Sequence, residues 1–217
     1  MNQDNHRRTV AANISLSLDG RINGATGKDD MSWIVPHAVT DVARDTMVRQ
    51  TETATTVLLG RKNYEGFSSY WPAVATDESA EPRDRRYAQW LDSVEKVVFS
   101  ATLTDVSWTN ARLADADPVT EARRLRDEPG GDIVVQNSSS VIRALLEADE
   151  IDRLIITQCP ELVGAGAHLF SDGNPATSWS LTSVTPSETG ALSVVYDRKR
   201  EQEEEVPRRL PPTSAGR

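Results

Sequence analysis

The chain has 217 residues, of which 38% are hydrophobic and 26% charged, a globular composition with enough length for one good-sized core and cramped for two. A formal net charge of −9 argues against a nucleic-acid partner, which needs a basic face, but leaves room for a small anionic ligand held by a few local cations. The single cysteine, Cys159, excludes an internal disulfide framework or a cysteine-based metal site, and His6, His37 and His168 are too scattered to pair as metal ligands.

The first residues, MNQDNHRR, lead into alternating TVAANISLSLDG with no apolar signal-peptide core, and no run approaches the ~18 apolar residues of a membrane span. A cytoplasmic protein without membrane contact is expected. Residues 10–18 alternate apolar and polar side chains and read as a strand, followed by the turn pair Asp19-Gly20. A polar loop covers 23–32. A helix is expected over 36–50, with Pro36 in its first turn and Val39, Val42, Ala43, Met47 and Val48 at helical spacing. Residues 55–59 form a buried strand ending at Gly60, 61–67 a short helix, 73–85 an exposed loop, 87–91 a helix and 96–99 a strand. Further along come a helix at 118–127, the breaker Pro129-Gly130-Gly131, a strand at 133–136, a helix at 141–148 and a strand at 154–157. Two runs at 180–185 and 191–198 read as antiparallel strands. Strands alternating with helices predict an α/β fold with a mostly parallel sheet and an antiparallel C-terminal edge. The division expected is a flexible 1–8, one domain over 9–200 and a flexible charged, proline-rich tail at 201–217.

Four segments could carry chemistry. In Leu59-Gly60-Arg61-Lys62-Asn63 a buried strand stops at glycine and two cations open the next element; helix-start N–H groups and an arginine fork suit a phosphate. A plain turn with solvated charges fits equally well. In Gln136-Asn137-Ser138-Ser139-Ser140-Val141 a strand runs into small polar residues, which suits a pyrophosphate cradle or ordinary N-capping. The segment from Ser15 through Asp19 to Ile22, with Trp33 beyond it, could wall a flat ring; Asp19 could be an acid or simply a turn residue, and Trp33 a pocket wall or core tryptophan. Gly164-Ala165-Gly166 is too short for a dinucleotide fingerprint and reads as a tight loop.

Taken in order, NISLSLDGRING, VLLGRKNYEGFSSYWP, KVVFSATL, DIVVQNSSSVIRALL and DEIDRLIITQCPELVGAGAHLF resemble the dihydrofolate-reductase-like superfamily, nearest the reductase domain of riboflavin-biosynthesis deaminase-reductases. The resemblance covers 10–198 without a deaminase half or its zinc signature, so a stand-alone reductase homologue with a single-domain three-layer fold is expected. It implies NADPH across the carboxyl ends of the strands. By that resemblance Arg61, after Gly60, meets the 2′-phosphate, and Lys62 and Asn63 face the phosphates. Ser100, Ala101 and Thr102 flank the adenosine, and Gln136, Asn137, Ser138, Ser139, Ser140 and Val141 form the pyrophosphate turn. Ser15 and Ile22 line the nicotinamide, while Thr157 belongs to the substrate pocket, to which Trp33 is added from the reading of its own segment. No metal is implied, and relatives commonly form homodimers.

The sequence departs from the pattern at several places. Asn137-Ser138 replaces a frequent Gly-Gly, which bears on how closely a ligand can approach the backbone. Asn63 stands where threonine is frequent and Ala101 where arginine is common. The carboxylate that folate-reducing enzymes carry after Trp-x-x-Pro is replaced by His37 or Ala38, with Asp41 a turn on, which argues against dihydrofolate as substrate. Asp19, His37 and Asp41 are the candidate proton donors. The function expected is NADPH-dependent reduction of a small polar molecule, pterin-, pyrimidine- or ribose-like. The alternatives are a non-catalytic NADP(H)-binding or regulatory protein on the same fold, and an interaction protein acting through the acidic tail.

Overall fold

The structure, a computed structural model, describes residues 7–27, 30–170 and 174–200; the tail at 201–217 and residues 1–6 lie outside the described residues. Eight strands form one sheet: β1 (Val10–Leu16), β2 (Ala54–Gly60), β3 (Glu95–Phe99), β4 (Ala111–Leu113), β5 (Asp132–Gln136), β6 (Arg153–Gln158), β7 (Ser178–Pro186) and β8 (Leu192–Lys199), in the order β4-β3-β2-β5-β1-β6-β8-β7. Pairing is parallel from β4 to β6, and β8 and β7 close one edge antiparallel. The helices are α1 (Val35–Ala38), α2 (Asp41–Thr53), α3 (Arg61–Thr76), α4 (Pro82–Ser93), α5 (Pro118–Arg126) and α6 (Ser139–Glu147).

Alternation within the strands builds two cores. Val10, Ala12, Ile14, Leu16, Leu58, Ile133 and Val135 pack against Ala122 and Leu125 of α5 and Val141, Ile142 and Leu145 of α6. Val57, Leu59, Val98 and Val134 face the other way, against Tyr64 of α3 and Tyr87 and Leu91 of α4. Central strands buried on both faces explain the continuous apolar runs in the sequence. The α/β class, the parallel sheet and the antiparallel edge are those the sequence implies. No described helix is long and apolar enough to cross a membrane.

Several boundaries differ from expectation. The first strand stops at Leu16, because the Leu18 amide is taken by the Glu161 carbonyl at 2.8 Å. The helix expected over 36–50 is split: Thr40 leaves helical geometry and its Oγ1 accepts from the Ala43 amide at 3.2 Å, starting α2 afresh. Val39 consequently lies exposed, and α2 buries Thr46 and Gln50. The loop expected over 73–85 is mostly helix, since α3 runs to Thr76 through Pro72 and α4 starts at Pro82. Arg8, assigned to a flexible extension, is buried and donates to the Leu125 and Gly131 carbonyls and the Thr56 hydroxyl, so the folded unit already includes it. Cys159 is a free, buried thiol whose pKa burial pushes up to about 12, which leaves it inert.

Candidate functional site

The main cavity, about 790 Å³, lies along the carboxyl ends of four adjacent strands. Its wall passes from Phe99 and Ser100, Ala101 and Thr102 after β3, to Gly60, Arg61, Lys62 and Asn63 after β2, then to Asn137, Ser138, Ser139 and Ser140 after β5, and finally to Ile14 and Ser15 on β1. Four strands at ~4.8 Å spacing span roughly 14 Å, so the cavity suits an elongated ligand. Such a crevice at the carboxyl edge of a parallel sheet is where open α/β sheets bind ligands.

Two helices start in this wall. Neither α3, with Gly60 as N-cap, nor α6, with Ser138, is capped by its own N-cap side chain. The two starts are tied together: the Gly60 amide donates to Ser138 Oγ at 2.8 Å, and Asn63 Nδ2 donates to the Asn137 carbonyl at 2.9 Å. The Ser138 hydroxyl in turn donates to the Gln136 carbonyl at 2.8 Å, so it serves the junction rather than the helix. Helix-start N–H groups and dipole ends therefore converge on one cavity that Arg61, Lys62 and Arg143 also line, a donor set for phosphate groups. Arg61 is half-exposed, and Glu65 one turn on accepts twice from its Nη1 at 3.0 Å.

Asn137 has φ of 48°, in the left-handed region that glycine adopts freely. The sequence thus keeps the backbone shape of a glycine turn with the next best tolerated residue.

Other expected site residues lie elsewhere. Gln136 is buried beneath the sheet, accepting from Asn13 Nδ2 at 2.7 Å and donating to Gln50. Its side chain belongs to a polar cluster under α2, and it does not line the cavity, because one residue's shift along a strand reverses the face. Val141 is part of the α6 core. Thr157 pairs in register with Ser15 but does not line the cavity, and neither does Trp33, in the short 3-10 turn Ser32–Ile34.

The three candidate proton donors all stand outside the cavity wall. Asp19 accepts from Ser17 Oγ at 2.7 Å and from the Val163 and Gly164 amides at 3.1 and 2.9 Å. The Ser17 hydroxyl first, then these amides, hold its carboxyl well below the usual range, so it stays ionised as a loop anchor. His37 is buried, with Nδ1 2.8 Å from Thr189 Oγ1 and Nε2 3.4 Å from Glu161 Oε1, joining α1 to two loops. Asp41 is exposed on α2, and its hydrogen bond and ion pair with Arg83 lower its pKa.

Among the residues the cavity adds without a role assigned from the sequence are Asn23, Gly66, Arg143 and Ala167, and Met31, from the loop leading to Trp33, lines it too. Asn23 and Ala167 meet because two loops zip together. The Ile22 amide donates to the Ala167 carbonyl at 2.9 Å and the Ala167 amide to Asn23 Oδ1 at 2.8 Å. Gly166, at φ 99°, permits this: a Cβ there would come within 2.1 Å of the Asn23 carbonyl oxygen. The two glycines at 164 and 166 were legible as a tight loop; the loop it meets, 144 residues away in the chain, was not.

Sheet order and cavity together define a dihydrofolate-reductase-like α/β protein. The chain belongs to the RibD C-terminal domain family, whose model matches residues 8–193. The uncharacterized Bacillus subtilis protein YyaP is 24% identical over 192 residues, 88% of this chain and 95% of that protein. A Thermotoga maritima diaminohydroxyphosphoribosylaminopyrimidine deaminase/5-amino-6-(5-phosphoribosylamino)uracil reductase superposes with a TM-score of 0.60 at 17% identity, covering 89% of this chain and 57% of that one. Dihydrofolate reductase from Enterococcus faecalis, complexed with NADP(H), superposes with a TM-score of 0.56 at 18% identity, covering 89% and 98%. These likenesses show the fold.

Proposed function

We propose that the chain is an NADPH-dependent reductase acting on a small polar substrate of pterin-, pyrimidine- or ribose-like type. The observation that carries the reading is the convergence of two helix starts, Arg61 and Lys62 on one elongated cavity at the carboxyl edge of the sheet. Family membership and the reductases among its solved neighbours support the same class. Bound NADPH would supply the hydride. The chain's own residues do the rest. Arg61 and Lys62 hold phosphate charge, the α6 start offers backbone donors, and Ile14, Ile22 and Met31 give apolar wall beside the polar groups of Ser15 and Asn23.

Titration calorimetry with NADPH and NADH tests this. Saturable binding that favours NADPH is expected, and absence of binding by either would overturn it. A second reading, a non-catalytic NADP(H)-binding protein, draws on the placement of Asp19, His37 and Asp41 outside the cavity wall. Stopped-flow oxidation of bound NADPH against a panel of pterin, pyrimidine and sugar substrates separates the two: turnover of any member supports the reductase, and tight binding without turnover the alternative.

A further inference from the structure

Arg143 lies in the second turn of α6, lines the main cavity, and was not among the residues to which the family resemblance gave a role. Its guanidinium is only partly used by the protein. Nε donates to the Leu169 carbonyl at 3.1 Å and Nη2 to the His168 carbonyl. No carboxylate pairs with it among the described residues, and Nη1 has no protein acceptor there. Arg61, by contrast, is already shared with Glu65. Among the described residues the Arg143 charge is therefore the less neutralised of the two, on the helix whose start carries Ser139 and Ser140 into the same wall. Its two carbonyl acceptors belong to the segment that pairs with residues 20–23: the Leu169 amide donates to the Gly20 carbonyl at 3.2 Å, and Ala167 and Ile22 are joined as described. One arginine thus touches both the anion-binding side of the cavity and the paired loops at its β1 end.

Resting on the reductase reading for the identity of the ligand, we propose that Arg143 is a diphosphate-binding residue. Its free donors engage the linkage between the two nucleotide halves while its other two hold the 167–169 segment in place. An arginine fork does this better than an ammonium, because its donors are fixed in one plane and can serve the ligand and the carbonyls together. The diphosphate is common to NADPH, NADH and ADP-ribose. Arg143 therefore contributes equally to all three, unlike Arg61, whose partner on the ligand is present in NADPH alone.

The test is calorimetric titration of the full chain with NADPH, NADH, ADP-ribose and adenosine, for the wild type, Arg143→Gln, Arg143→Lys and Arg61→Ala. Arg143→Gln should weaken all three diphosphate ligands by a common factor of about ten to a hundred, as expected for a lost charge-assisted hydrogen bond, and leave adenosine unchanged. Arg143→Lys keeps the charge and should lose less. Unchanged ADP-ribose affinity in Arg143→Gln would overturn the proposal. So would equal losses in the Gln and Lys variants extending to adenosine, which mark an arginine that only props the loop. If Arg143→Gln does not fold by circular dichroism, Arg143→Lys decides: a loss shared by the three diphosphates and absent for adenosine supports the proposal, and no such loss overturns it. Wild-type protein that binds ADP-ribose through Arg143 but neither dinucleotide would sink the reductase reading and leave this one standing. Failure to bind ADP-ribose as well sinks both.

Discussion

Asn137 lies where β5 hands over to α6, with φ at 48° and its amide donating to the Asn13 carbonyl at 2.9 Å. A non-glycine residue in this region carries a backbone cost of roughly 1 kcal/mol, least for Asn. Asn137→Ala should lower stability by about 1 kcal/mol in urea unfolding, because alanine adds strain with no local compensation. Asn137→Gly should be near neutral, as relief of strain offsets the greater freedom of the unfolded chain; a clear loss on that change would mean the side chain, not the backbone, matters. Arg61 makes the complementary case for charge. Arg61→Ala should weaken NADPH by about tenfold or more and NADH far less, since only NADPH carries a 2′-phosphate for the guanidinium. Equal losses in titration calorimetry would remove Arg61 from that role.

The division between α1 and α2 rests on Thr40, whose hydroxyl accepts from the Ala43 amide and donates to the His37 carbonyl at 3.1 Å, bridging the helices in a buried position. Thr40→Ala should cost about 1 kcal/mol in urea unfolding, the usual loss for an N-cap, and Thr40→Ser should recover most of it. An unchanged midpoint in the alanine variant would show the cap to be dispensable. This cap also marks where the sequence was hard to read. The apolar spacing from Val39 to Val48 is helical throughout, and only the Thr40 backbone breaks it. A proline misled in the opposite direction: Pro82 is the first residue of α4 rather than part of a loop. α3 also runs past the end expected at 67 and through Pro72, with Trp71 packed against Phe67 and Tyr87. β4, only three half-buried residues, offers too short a pattern to detect. The central strands were legible because burial on both faces leaves unbroken apolar runs that stop at Gly60 and Gln136. The cationic part of the site was legible too, since Arg61 and Lys62 follow their strand directly. The roles of Asp19 and Arg143 were not, because their partners at 163–164 and 168–169 lie 25 to 145 residues away.

Parallel strands give the whole molecule two unlike ends. Helix starts collect at the carboxyl edge, where α3 and α6 open into the cavity. The opposite edge gathers helix ends and buried cations. Arg126 pairs there with Asp152 at 2.7 Å, and Lys96, fully buried at the start of β3, donates to the carbonyls of Leu91 and Val94 at the end of α4 with its ammonium 4.7 Å from the Trp108 ring. A cation at a helix end is favourably placed, yet its burial is costly. Burial pulls the Lys96 ammonium down to about 8 from an ordinary 10.5, with the Asp92 charge opposing. Folded protein therefore releases this proton near pH 8, while the unfolded chain keeps it up to 10.5. Between those values the unfolded state binds more protons, so stability conferred by this site rises with pH, by up to about 3 kcal/mol for the full shift. Lys96→Met removes the titration and also leaves the two carbonyls without their donor, an offset that does not vary with pH. Urea unfolding of both proteins across the window should show the wild type gaining on the methionine variant as pH rises. A gap that stays constant from below pH 8 to above 10.5 would mean that Lys96 carries its charge in the folded protein as easily as in water.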